Sequence, residues 1–188
     1  IYVVGLLGDK VFLKYDLEGN LKLNVSWNGT FPVDGEDIFV YNDYIYIAGY
    51  IQRRVGEVYR HDVIILKYDT NGNLIWNTTW GGDDEDCAKG IFVYDDNIYV
   101  TGWTCSYGAG YRDVFLLKYD LDGNLIWGTT WGGGLCDSAY DIYVYNNYIY
   151  VVGTTGSFNS SGDDAVLLQY DATGNLIRNI TWGGDKSE

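Results

Sequence analysis

One unit is written four times in this chain. The segment KYDLDGNLIWGTTWGG at 118–133 returns almost letter for letter as KYDTNGNLIWNTTWGG at 67–82. It returns more loosely as KYDLEGNLKLNVSWNG at 14–29 and QYDATGNLIRNITWGG at 169–184. Copying at this length confines the chain to architectures in which a small supersecondary unit packs against neighbours of its own kind. The closing tryptophans, Trp27, Trp80, Trp131 and Trp182, are separated by 53, 51 and 51 residues. From Trp27, Trp80 and Trp131 to Ile38, Ile91 and Ile142 the step is always 11 residues, so the variation in length lies in a different connection.

Each unit reads as four short strands. Strand A is IFVY or IYVY, and Asn42-Asp43 or Asn146-Asn147 turns it into strand B, IYIAG or IYVVG. A connection of variable length leads to strand C, DVIILKYD or DVFLLKYD. The turn D-x-x-G-N then leads to strand D, LIWNTTW, with Gly72 and Gly123 where the hairpin requires positive φ. Connections this short make an antiparallel meander. Strand C is apolar at consecutive positions, as in Val114 to Leu117, which predicts burial on both faces. Strand D alternates, with Trp76, Thr78 and Trp80 on one side and Ile75, Asn77 and Thr79 on the other, which predicts a wetter outer edge. The expectation is an all-β chain of β-propeller blades, four-stranded meanders of about 51–53 residues packed face to face. A β-solenoid fits less well, because its coils pair in parallel.

The markers in register resemble a known family. The string D-x-A-x-x-I-x-V (Asp137, Ala139, Ile142, Val144), followed by IYVVG and by DVFLLKYDxxGNxxWxxTWGG, is similar to the SBBP-type β-propeller repeat. That repeat occurs in archaeal and bacterial secreted and surface proteins, and its shared positions are structural. The resemblance therefore implies a propeller and a location outside the cell, and it implies no catalytic residues. The chain departs from it at Leu23, where others have Trp76 or Trp127, and at Val33, where others have Asp86 and Asp137.

Counting strands divides the chain into a first blade with strands B to D only (1–27), then blades at 28–80, 81–131 and 132–182, with 183–188 beginning a further linker. The ring is expected to be incomplete, and its partners to be further blades of the same chain or other copies of itself. Unpaired edges would make self-assembly into a filament or a larger ring favourable. The formal charge of −14 repels phosphate backbones and argues against nucleic acid as a partner. No segment is apolar for long enough to span a bilayer as a helix.

Three cysteines are present. With Asp95-Asp96 as the turn, residue 87 lies opposite 104, which favours a Cys87–Cys105 disulfide after a small bulge. A Cys105–Cys136 bridge and three free thiols remain open. Sequons fall at Asn24, Asn28, Asn77, Asn159 and Asn179, and three of these are repeat-equivalent, so N-glycosylation of an exported protein is expected. Strand D also needs polar residues for its outer face, which accounts for Asn and Thr there without a glycan.

The B-to-C and D-to-A connections share one end of a propeller. That end collects Arg53, Arg54, His61, Trp103, Tyr107, Tyr111, Arg112 and the acidic run Asp83 to Asp86. Trp103, Tyr107 and Tyr111 are candidates for stacking on sugar rings of a glycan, or they cap the core. Asp83, Asp84 and Asp86 are candidate ligands for Ca²⁺, or they form a solvated acidic turn; no other cofactor is suggested. His61 is the only histidine, no nucleophile elbow is written, and no acid pair stands out, so a non-enzymatic structural or adhesive role is expected. The alternatives are a glycan- or peptide-binding module using this loop face, and part of a larger propeller enzyme.

Overall fold

The computed structural model describes residues 1–7, 10–158 and 162–183. Its fifteen described strands form four antiparallel sheets in strict chain order. The first sheet is β1 (Tyr2–Leu7), β2 (Lys10–Tyr15) and β3 (Leu21–Ser26). The second is β4 (Val33–Tyr41), β5 (Tyr44–Val55), β6 (Val58–Asp69) and β7 (Leu74–Trp80). The third is β8 (Asp86–Tyr94), β9 (Asn97–Thr104), β10 (Asp113–Asp120) and β11 (Leu125–Trp131). The fourth is β12 (Asp137–Tyr145), β13 (Tyr148–Thr155), β14 (Asp164–Asp171) and β15 (Leu176–Trp182). These are the blades of a β-propeller.

Two turn types set the registers. The A-to-B turns place Asn42-Asp43, Asp95-Asp96 and Asn146-Asn147 at positive φ, between 48° and 62°, which short polar side chains tolerate. The C-to-D turns place Gly72 and Gly123 at φ of 87° and 85°, and the register shifts by one just before each turn, between Lys67 and Tyr68 and between Lys118 and Tyr119. In each such turn the aspartate closes the loop. Asp120 Oδ1 accepts the N–H groups of Asp122 (3.0 Å) and Asn124 (2.8 Å), while Oδ2 accepts from Asn124 Nδ2 at 2.9 Å. Asp69 does the same with Asn71 and Asn73.

Strand A carries a bulge that the alternating pattern does not reveal. One extra residue, Glu36, Lys89 or Tyr140, interrupts the pairing with strand B. This corrects the expected register: Cys87 lies opposite Trp103, and Thr104 faces Asp86. The bulge also explains the glycine that ends each strand B marker. A Cβ on Gly49, Gly102 or Gly153 would collide with the carbonyl of Asp34, Cys87 or Ser138. The variable connection of the second sheet is a second departure. It is not a loop, because β5 and β6 run on as a ladder through Gln52↔His61, Arg53↔Arg60 and Val55↔Val58.

Three hydrophobic clusters join the sheets in series. Phe12, Ile47 and Leu66 join the first to the second; Ile65, Val100, Phe115 and Leu117 join the second to the third; Leu116, Val151 and Leu168 join the third to the fourth. As the sequence implies, β10 is buried on both faces, whereas β7 and β11 alternate between half-buried and exposed. The inner strands carry an aromatic ladder, Phe39 to Phe92 at 4.6 Å and Phe92 to Tyr143 at 5.0 Å. Among the described residues no cluster joins the fourth sheet to the first, so the ring is open in this chain.

The marker glycine provides a test. Gly102→Ala forces a Cβ into a carbonyl and is expected to cost about 1–3 kcal/mol in urea unfolding, the range of core overpacking. Gly134→Ala meets no atom within 4 Å and is expected to stay within about 0.5 kcal/mol of the parent.

Candidate functional site

The loop end of the propeller is held by a carboxylate placed at the first residue of strand A. In the third sheet this is Asp86, which is wholly buried. Its Oδ1 accepts the hydroxyl of Thr104, at the end of β9. Its Oδ2 accepts from Ser106 Oγ at 2.7 Å and from the Gly82 N–H at 2.9 Å. Thr104 Oγ1 in turn accepts the N–H groups of Ser106 (3.1 Å) and Tyr107 (3.2 Å), and Ser106 Oγ accepts the N–H of Asp84 at 3.0 Å. One carboxylate thereby ties the D-to-A connection to the B-to-C connection. The fourth sheet repeats the device: Asp137 takes the Thr155 hydroxyl, Ser157 Oγ at 2.5 Å and the Gly133 N–H at 2.8 Å.

A second aspartate lies against the first across the junction. Asp113, at the start of β10, is buried, and its Oδ2 accepts the N–H groups of Ala109 and Gly110, both at 3.0 Å. A Cβ on Gly132 would collide with Asp113 Oδ1 and with Asp137 Oδ2, so glycine after the marker tryptophan is required by two carboxylates closing on its Cα. Burial pushes the Asp113 carboxyl above the usual range, and the charge of Asp137 adds to the shift. At the preceding junction Asp62 has a cation, Arg53 Nε at 2.6 Å, yet burial still moves it upward. The turn aspartates move the other way. The Lys22 ammonium and Asn20 hold Asp16 down to about 2, and the Thr173 hydroxyl and Asn175 hold Asp171 there also.

The sequence-derived candidates do not converge. Asp86 is turned inward and saturated, Asp84 is paired with Arg60, and Asp83 is exposed. Among the described residues no group of three or more His, Cys, Asp and Glu side chains is arranged to hold a metal ion, and hydrogen bonds tie this turn. Trp103 lies within β9 with the Arg112 guanidinium stacked on its ring at 4.2 Å. Tyr107 packs its ring on Trp80 at 4.9 Å and donates its hydroxyl to the Gly81 carbonyl at 2.9 Å. Both therefore serve the frame, while Tyr111 is 75% exposed. The expected Cys87–Cys105 bridge is not formed: all three thiols are free, and the bulge places Cys87 opposite Trp103, two positions from Cys105. Burial raises the Cys87 thiol to about 12, which makes it a poor nucleophile. Asn24, Asn28, Asn77 and Asn179 are all exposed, and Asn159 lies outside the described residues.

The pattern T-x-S followed by an aromatic, at 104–107 and again at 155–158, was the available signal for this network. Phe158 packs on Trp131 at 4.9 Å as Tyr107 does on Trp80. In the second sheet the corresponding pair is apolar instead, buried Val33 opposite half-buried Ile51.

No family model matches the chain, and no curated protein does. Among solved structures it is similar to a GH32 β-fructofuranosidase of Bombyx mori in complex with sucrose, at 10% identity and a TM-score of 0.45, over 84% of this chain and 39% of that one. The chain thus spans about two fifths of that enzyme chain, and a likeness this loose bears on neither activity nor substrate.

Two outcomes test the network. Asp86→Val alone strands the Thr104 hydroxyl and two further donors and should cost about 3 kcal/mol in chemical denaturation. Asp86→Val with Thr104→Ile copies the Val33–Ile51 pair and should recover more than about 1 kcal/mol of that loss. The pH dependence has two signs. Asp113, raised above its unfolded value, favours folding as pH falls toward the ordinary carboxylate range; Asp16 and Asp171, lowered to about 2, stabilise above that range and lose their contribution as pH falls to about 2. Stability should therefore rise on mild acidification and fall below pH ~4, with Asp113 protonating before the turn aspartates in carboxyl NMR titrations.

Proposed function

We propose that the chain is a non-catalytic propeller module displayed outside the cell, with a structural or adhesive role and N-linked glycans on its outer strands. One observation supports this most. The buried acids of the loop end, Asp86 and Asp137, spend their lone pairs on hydroxyls and N–H groups of the frame itself. A carboxylate engaged in this way is a structural tie, not a general base awaiting a substrate. The repeat-equivalent sequons add to the reading, since Asn24, Asn77 and Asn179 are exposed at the same position of β3, β7 and β15. The resemblance of the repeat to SBBP-type units of secreted and surface proteins points the same way.

A glycan-binding role is the second reading, and a particular groove favours it. Trp80, Tyr107, Leu125, Gly128, Thr129 and Thr130 line a space of about 530 Å³ beside the third sheet. Gly128 stands where the other units carry asparagine, so this groove has no side chain at that position of its wall. An aromatic wall facing threonine hydroxyls suits a sugar ring.

Glycopeptide mapping of protein made in its native host tests the first reading. Modified Asn77 and Asn179 are expected, and a mass equal to the bare polypeptide would contradict it. A glycan array tests the second. Binding that Gly128→Asn abolishes would support it, and an array without signal would remove it.

A further inference from the structure

Two contacts recur at all three junctions, and a third is made at the first two. The outer-strand side chain of one sheet covers the turn glycine of the next: Leu23 lies on Gly72, Trp76 on Gly123 and Trp127 on Gly174. A donor from the earlier sheet reaches the carbonyl that follows the turn aspartate of the later one. Lys14 Nζ donates to the Thr70 carbonyl at 3.3 Å, and Lys67 Nζ and Trp76 Nε1 donate to the Leu121 carbonyl at 2.9 and 3.1 Å. Aliphatic side chains of strands B and C then fill the space between the sheets.

The two ends of the stack carry the unmatched halves of that junction. In the first sheet, Gly19 has the φ of its equivalents, 84°, but nothing lies within 4 Å of a Cβ built on it, and Leu17 is 88% exposed. Leu17 corresponds to Leu121, which packs at the junction between the second and third sheets. Val3, the equivalent of the buried Ile47, is also exposed. In the fourth sheet the face that would meet a next blade is open. Trp182 is 71% exposed and Tyr143 55%, whereas Trp80 packs on Phe115 at 4.9 Å and Phe92 on Tyr143. Gln169 and Arg178 stand where Lys67 and Trp76 make the turn contacts, so donors are retained at both positions.

We propose that a second copy of this chain seats its first sheet on the outward face of the fourth sheet, head to tail, with Arg178 over Gly19 and Trp182 against the first-sheet aliphatics. Continuity with three junctions of the same design identifies the occupant, because the face is shaped for a blade and the chain exposes one unpaired blade face. Such a contact is heterologous: it closes a ring of two copies, eight sheets, which is within the range of propellers, or it grows as a filament. A charge of −14 on each copy opposes the approach, so the apolar contact strengthens as salt screens it. The pairing rests on the structural-module reading, but its test reads mass alone, so glycan mapping and assembly fail independently.

Sedimentation equilibrium of the 188-residue chain over a range of concentration and salt is the experiment. Assemblies larger than the 21.2 kDa monomer are expected, increasing with salt. Val3→Lys and Trp182→Lys, both at exposed positions, should each give monomers with unchanged circular dichroism. Mixed together, they should form a one-to-one dimer through their remaining intact faces. Leu17→Arg and Tyr143→Lys serve as the second pair should either of the first lose its β signal. A parent chain that stays monomeric throughout, a single variant that still associates alone, or a mixture that stays monomeric would each overturn the proposal.

Discussion

Each sheet of this protein depends on another sheet lying against it. Strands B and C are apolar on both sides, so no blade can bury its own surface, and β10 shows the result, with Val114 and Leu116 turned to one neighbour and Phe115 and Leu117 to the other. This two-sided demand turns four short meanders into a stack and makes the hydrophobic effect act along the chain in nearest-neighbour steps. It also defines the ends. Where the neighbour is missing, β14 loses its uniform burial at Ala165 and Leu167, and Trp182 is left in solvent.

Polar devices orient this apolar stack. The turn aspartates replace the missing ladder bonds at each C-to-D hairpin. The strand A aspartates gather hydroxyls and N–H groups at the opposite end of the blade, where two connections must be held together. Val33 and Ile51 show that the second device is replaceable when both partners change together, as expected when a satisfied polar pair and an apolar pair of similar volume are close in free energy. The buried acids at the loop end, Asp86, Asp113 and Asp137, thus each have an internal use in fastening the frame.

Much of the architecture was legible because period and spacing are one-dimensional quantities. The step of 11 residues from tryptophan to isoleucine and the D-x-x-G-N turns located the strands, their order and the open ring. The bulge in strand A was not legible, since an inserted residue such as Lys89 leaves the sequence pattern intact while moving Cys87 away from Cys105. Nor was the extension of β5 and β6, where Arg53 and His61 read as loop residues because polar side chains occupy both faces of a hairpin that projects from the sheet. For the site, residue type was visible but direction was not. Asp83, Asp84 and Asp86 are near neighbours in sequence and face solvent, Arg60 and the interior respectively.

Burial between sheets, in series and with two open ends, holds the fold. Hydrogen exchange measured on dilute, monomeric protein tests it most directly, because amide protection follows the packing of each strand. The amides of β6, β9 and β10 should exchange only through global unfolding, with β1 and β15 exchanging far faster. Protection of β1 and β15 equal to that of the inner sheets would mean that the monomer closes on itself, and would contradict an open stack.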